Sequence, residues 1–249
     1  MADLHIHSTL SPCGSLEMSP IKIVERAKES GLNLISITDH NSIQNLQYLK
    51  NIALNYNIDI LYGMEVQTEE EVHILTYFDH YDSIERVWKY VYERLPNVKN
   101  RPEIFGDQVI VDENENIVSF EEKLLLNSSK VTLEKLCHLV EEEEGLAIPA
   151  HIDSSTYSII GQLGFIPEAL FFPFLEITYT CNEAEITKQF PFLENYILVS
   201  FSDAHYLSDI GRSFTEFWVE TPSINAIKCT AKDRNLIKIK RQGGSKWLT

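Results

Sequence analysis

The chain has 249 residues, 44% hydrophobic and 23% charged, which suits one folded domain with a sizeable core and excludes long disorder. Its 21 basic and 37 acidic residues leave a formal charge of −16, which argues against passive binding of long nucleic acid through a basic surface. A small phosphorylated substrate stays open, because bound cations can invert the local field whatever the net charge.

The opening Met-Ala-Asp-Leu-His has neither a basic n-region nor an apolar h-region, so no signal peptide is expected. From residue 2 the alternation ADLHIHS predicts a short strand. Ser19-Pro20 reads as an N-cap followed by Pro at the first helical position, with a helix carrying Ile21, Val24 and Ala27 to a stop near Gly31. Residues 34–38 (LISIT) read as a buried parallel strand. Asn41-Ser42 can cap a second helix with Ile43, Leu46, Leu49 and Ala53 inward. Strands over 58–66 and 72–78 follow, then a helix from Ser83 to about Leu95.

After Pro96 the rhythm changes. GDQVIVDENENIVSF reads as a β-hairpin around Asp112 to Asn116, so 97–130 is taken as an insertion within a single domain spanning 1–249. A helix from Leu133 to Glu144, strands over 146–151, 174–179, 196–205 and 214–220, a helical stretch near Glu183 to Phe190 and a short last helix complete the series. Repeated strand–helix units predict an α/β fold with a mostly parallel sheet, closed or open. The most apolar run, 169–177, is broken by Pro173 and is too short for a bilayer. Cys13, Cys137, Cys181 and Cys229 form no CxxC pair, so a cytoplasmic protein without a membrane partner is expected.

Six of the eight histidines share one address. His5 and His7 are two apart, so their side chains share a face. His40 closes the second strand, Glu65 the third, His73 lies in the fourth, and His151, Asp203 and His205 close later ones. In a parallel α/β barrel the strand C-termini open onto one face, where sites are built. Imidazole and carboxylate together suit zinc, iron or manganese, and Glu65 can bridge two ions. No GxSxG elbow or P-loop offers a protein nucleophile.

The segments DLHIHS (Asp3 to Ser8), TDHN (Thr38 to Asn41), GMEV (Gly63 to Val66), PAH (Pro149 to His151) and SDAH (Ser202 to His205) make the sequence resemble the PHP family, the polymerase and histidinol phosphatase domain family. The resemblance extends over nearly the whole chain. It implies a distorted (β/α)7 TIM-like barrel with two or three divalent metal ions (Zn, Mn or Fe). By motif, His5, His7, Glu65 and Asp203 would hold the first ion; Glu65, His73 and His151 the second; His40 and His205 the third. His5, His7, Glu65, Asp203 and His205 would form the catalytic core, hydrolysing a phosphate ester of a small substrate (nucleotide, short oligonucleotide or sugar phosphate) with metal-activated water. A nuclease acting on nucleic-acid ends, a histidinol-phosphatase-like enzyme and a non-catalytic metal-binding module are the alternatives.

One departure stands out. Many family phosphoesterases carry an Asp after the paired histidines, where this chain has Ser11-Pro12-Cys13-Gly14. Cys13 is either a thiolate ligand or a small buried residue in a tight turn. The SPCG stretch and the insertion resemble one bacterial subgroup of the family. Asp39 is expected to orient a ligand, as is Asp3, and Arg212 either clamps a phosphate or makes a surface salt bridge. The insertion is expected to cover one side of the pocket.

Overall fold

Segments that read as strands in the sequence are short in the structure, a computed structural model that describes residues 1–242. The strands are β1 (Ala2–Asp3), β2 (Leu34–Ile35), β3 (Asp59–Ile60), β4 (Tyr62–Gln67), β5 (His73–Phe78), β6 (Val109–Val111), β7 (Ile117–Phe120), β8 (Leu146–Pro149), β9 (Phe174–Glu176), β10 (Ile197–Val199), β11 (Ser213–Phe217) and β12 (Ile237–Arg241). The α-helices are α1 (Pro20–Glu29), α2 (Leu49–Tyr56), α3 (Tyr81–Arg94), α4 (Pro102–Phe105), α5 (Leu133–Glu142), α6 (Ile159–Leu163), α7 (Glu183–Gln189) and α8 (Ile224–Thr230). None of the described helices is long and apolar enough to cross a membrane.

Local signals explain most boundaries. Ser19 accepts from Lys22 N and Pro20 occupies the first turn, so α1 starts where its missing N–H costs nothing; Ile23, Val24 and Ala27 face the core. The second helix differs from expectation. Residues Gln44–Leu46 form a 3-10 turn before α2, yet Ile43, Leu46, Leu49 and Ala53 are all buried as the apolar spacing requires. The strand expected over 58–66 is divided at Leu61 into β3 and β4.

The mixed α/β arrangement has more antiparallel pairing than the expected, mostly parallel sheet. β1/β2, β2/β3 and β9/β10 are parallel, whereas β4/β5, β5/β8, β1/β11, β11/β12 and the β6/β7 hairpin are antiparallel. The connection from β4 to β5 spans only residues 68–72, too few for a parallel crossover, so the chain must reverse. Backbone bonds link the separate sheets. Asn41 N donates to Glu65 O at 2.9 Å, Ile152 N to Glu176 O at 2.8 Å and His7 N to Ala204 O at 2.9 Å.

Gly63 in β4 sits where an added Cβ would come within 2.2 Å of Ser36 Oγ and 2.7 Å of Thr38 Cγ2. Only glycine lets β4 lie this close to the 36–38 backbone, and that approach sets the depth of Glu65 two residues on. Residues 97–130 pack against the same loops: Val109 N donates to Thr9 O at 2.8 Å, and the Asn41 amide donates to Leu125 O at 2.8 Å.

Candidate metal centre

Glu65 is the hub. It lies inside β4, its side chain 1% exposed. Oε1 is 2.9 Å from His73 Nδ1, 3.4 Å from His5 Nε2 and 3.5 Å from His151 Nε2. Oε2 is 2.9 Å from His40 Nδ1 and 3.5 Å from His7 Nε2. Five imidazoles from distant segments thus meet one carboxylate. Asp203 Oδ1 lies 3.4 Å from both His5 Nε2 and His7 Nε2 and 3.6 Å from His205 Nδ1.

The strand reversal corrects how these side chains arrive. Glu65 was expected at a strand end and His73 on a parallel strand. Instead Glu65 is interior to β4 and His73 is the first residue of β5, brought beside Gln67 because the two strands run in opposite directions. His5, His7, His40, His151, Asp203 and His205 all follow the C-terminal ends of their strands.

Cys13 does not behave as a small buried turn residue. The residue is exposed, while its thiol sits with ligand atoms of His7, His40 and His205, all within 4.8 Å of one another. Burial of the sulfur opposes ionisation, but His40 and His205 outweigh it and bring the thiol down to about 7.

The supporting residues include some that sequence reasoning passed over. Glu176, at the end of β9, accepts from His5 Nδ1 at 3.0 Å and from His151 N at 3.0 Å. This fixes the His5 tautomer and turns Nε2 toward Glu65 and Asp203. The only signal was one acid in the apolar run FFPFLEITY. Asp39 accepts from Ser8 N at 2.7 Å and Ser11 Oγ at 2.6 Å, and Ser11 Oγ is 3.0 Å from His7 Nδ1, so Asp39 acts on His7 through Ser11. Asp3 accepts from Ser202 N and Gly211 N, bracing the loop that carries Asp203. Burial lifts Asp3 to about 6 against those bonds. Arg212 Nε donates to Ser202 O at 2.7 Å and Nη2 to Asp203 O at 3.1 Å; the side chain is absent from the pocket lining, so it braces the loop and does not reach toward a phosphate. Tyr157 stacks on His73 with ring centroids 4.8 Å apart at 10°.

The electrostatics describe a site organised around positive charge. Burial alone would raise Glu65, but His73, His40 and His5 hold it well below the usual carboxylate range. Asp203 is likewise held far down against burial by His5 and His7. Burial opposes charge on His5 too, and Glu176, Asp203 and Glu65 overcome it and hold its pKa well up. His7 is pushed to about 3 by burial and by His205 and His40. Asn41, His151, Tyr157 and Asp203 adopt left-handed backbone, with φ between 31° and 57°, strain that clusters here.

The residues fit divalent cations. His40 Nδ1 and Glu65 Oε2 are 2.9 Å apart without hydrogen-bond alignment, and both, like His151 Nδ1, are buried with no hydrogen-bond partner. Orphaned buried donors and acceptors of this kind are costly unless a further group joins them. Three overlapping donor sets occur among the described residues: His7, Cys13, His40 and His205; His5, His7 and Glu65; His40, Glu65 and His73. Imidazole, carboxylate and thiolate suit zinc or iron, and the sets without sulfur suit manganese as well.

Comparison with known proteins agrees with this chemistry. The family described as PHP domain matches residues 3–162. A 5′-3′ exoribonuclease of Haemophilus influenzae is 36% identical over 76 residues, covering 29% of this chain and 27% of that one. A PolC-type DNA polymerase III of Oceanobacillus iheyensis is 32% identical over 69 residues, covering 28% of this chain and 5% of that one. The chain spans less than half the length of these relatives. Among solved structures, a lesion-specific endonuclease Q from Pyrococcus furiosus superposes with a TM-score of 0.72 at 21% identity, covering 96% of this chain and 57% of that one. A two-domain protein of Bacteroides vulgatus containing a predicted PHP-like metal-dependent phosphoesterase superposes at 0.57 and 15% identity, covering 96% and 64%. At these identities the likeness is one of fold.

Proposed function

The chain belongs to the PHP domain family, and from that premise we propose that it is a metal-dependent phosphoesterase. The observation that carries the reading is the meeting of five imidazoles on the Glu65 carboxylate, with Asp203 across from it. His5, His7, Glu65 and Asp203 would hold one ion, Glu65, His73 and His151 a second, and His40, His205, His7 and Cys13 a third; zinc, iron or manganese would serve. When bound, such ions supply Lewis acidity toward phosphoryl oxygens and lower the pKa of water.

The protein's own groups set the stage for that chemistry. Glu176 holds the proton on His5 Nδ1, so Nε2 keeps its lone pair for the pocket. Ser11 fixes the His7 ring from behind, and Arg212 and Asp3 keep the Asp203 loop in its left-handed turn. Leu126 and Tyr157 add apolar surface to the lining. We read residues 1–249 as one domain, with 97–130 an insertion bordering the pocket, and the strands β1, β2, β4, β5, β8, β9 and β10 as a distorted (β/α)7 barrel. Backbone hydrogen bonds between each neighbouring pair of this ring support the barrel reading. Four free, scattered cysteines favour the cytoplasm.

The substrate we favour is small, because a net charge of −16 gives little general attraction for a polyanion. Action on duplex DNA is the second reading, favoured by likeness to endonuclease Q, which has been seen with a 27-mer duplex carrying an abasic lesion; the TM-score there is 0.70. Metal analysis together with hydrolysis of bis-p-nitrophenyl phosphate and of an abasic duplex tests both. Turnover of the small ester that is lost in Glu65→Gln supports the first; activity on the duplex alone supports the second; a metal-loaded protein inert to both would be a binding module.

A further inference from the structure

Resting on the phosphoesterase reading, we infer that the pocket is built for phosphodiesters and discriminates against phosphomonoesters. Charge counting leads there. Among the described residues that line the cleft there is no Lys and no Arg. Arg212, which bonds to the Asp203 loop, is fully committed: it gives Nε and Nη2 to the carbonyls of Ser202 and Asp203, pairs through Nη1 with Asp209 at 3.3 Å, and lies 3.9 Å over the Tyr179 ring. All positive charge available to a substrate therefore comes from the metal positions, and Glu65, Asp203 and Cys13 already draw on those.

A monoester carries close to two charges at neutral pH, since its second pKa is about 6. Its additional anionic oxygen would find no Lys or Arg in the lining to meet it. A diester brings a single charge and replaces that oxygen with a second organic arm. The pocket supplies a surface for such an arm. Tyr157 stacks on His73, its carbonyl accepts from His73 N at 2.8 Å, and it lines the cleft with Leu126 while staying 43% exposed. An aromatic ring already ordered in this way suits an ester substituent, and its one polar group is a neutral hydroxyl that carries no positive charge to an anionic oxygen.

The reaction balances simply. Water oxygen bonds to phosphorus, one ester P–O bond breaks, the departing oxygen takes up one proton of the water and the other is released to solvent, giving an alcohol and a dianionic phosphomonoester. That product acquires a second charge the pocket does not neutralise, so it leaves without further hydrolysis.

The test compares bis-p-nitrophenyl phosphate with p-nitrophenyl phosphate, which share a leaving group, on the metal-loaded protein. The diester is expected to have the higher kcat/KM by about tenfold or more, the scale of one missing charged hydrogen bond. Tyr157→Ala should raise KM for the diester several-fold at unchanged metal content. Leu126→Arg, which adds the missing cation, should move the ratio toward the monoester. Equal or preferred monoester turnover, or a ratio untouched by Leu126→Arg in a protein that melts normally, overturns the inference while leaving a phosphoesterase. Hydrolysis of neither ester and of no abasic duplex overturns the phosphoesterase reading and this inference with it.

Discussion

On the deep side of the pocket, Glu65 is flanked by His40, His73 and His151, with side chains 8%, 9% and 13% exposed, all on or directly after strands. On the shallow side, Cys13 is exposed and His205 is 27% exposed, and both stand on loops. The deep side holds its donors in place by packing: Gly63 lets β4 approach closely, and Glu176 pins His5 from behind. The shallow side relies on hydrogen bonds with backbone: Arg212 donates to the carbonyls of Ser202 and Asp203, and Asp3 accepts from Ser202 N and Gly211 N. The proposed ligands thus divide into a packed floor around Glu65 and a more exposed rim, and the rim is where this chain has Cys13.

The contrast breaks first at the floor. Glu65→Gln keeps the shape but removes the charge that five imidazoles share, and kcat/KM is expected to fall by roughly a thousandfold, a transition-state cost of about 4 kcal/mol. Metal content should fall with activity; a Glu65→Gln protein that stays fully loaded and active would show that Glu65 is not the bridge. Next comes Glu176→Gln, which weakens the hold on His5 Nδ1. Metal affinity is expected to drop by about 10- to 100-fold with the fold intact, measured by competition against a chelator. Arg212→Gln strips two donors from the Asp203 loop and should cost about tenfold in metal affinity, with Arg212→Lys recovering part. An effect on KM alone, with metal binding unchanged, would restore Arg212 as a phosphate contact.

Some of this could be read directly from the residues. His5 with His7, and Asp203 with His205, stand out by their spacing, although Asp203 lies in a left-handed turn and not on extended chain, and Asp39 bears on His7 through Ser11 and not on the adjacent His40. The direction of β5 could not be read from periodicity, which is the same for parallel and antiparallel strands; only the five-residue span from 68 to 72 encodes the reversal. Glu176 was hidden because a single acid in an apolar strand has no local partner, and its meaning depends on His5, 171 positions away. For Arg212 the sequence left a phosphate clamp and a salt bridge both open, and the structure pairs the side chain with Asp209 and bonds it to the carbonyls of Ser202 and Asp203, contacts that depend on how the 202–212 loop folds.

The smallest expected effect lies at the rim. Cys13 is held to about 7 by His40 and His205, so in metal-free protein its alkylation by iodoacetamide should be half-maximal near pH 7 and rise as pH rises through that value. An ordinary thiol would respond only near about pH 8.5. Binding at the His7, Cys13, His40 and His205 position requires the thiolate, so metal should release a proton below about pH 7 and shield the sulfur from the reagent. Cys13→Ser should lower zinc affinity at one site by several-fold while leaving manganese nearly unchanged, because hydroxyl is a harder ligand than thiolate. Cobalt loading gives an independent reading: a sulfur-to-cobalt charge-transfer band present in the native protein and missing from Cys13→Ser places the thiolate on the metal. The floor around Glu65 should stay loaded in both proteins. If alkylation instead proceeds equally with and without metal, the rim cysteine stands apart from the ions, and the shallow side is held by histidine alone.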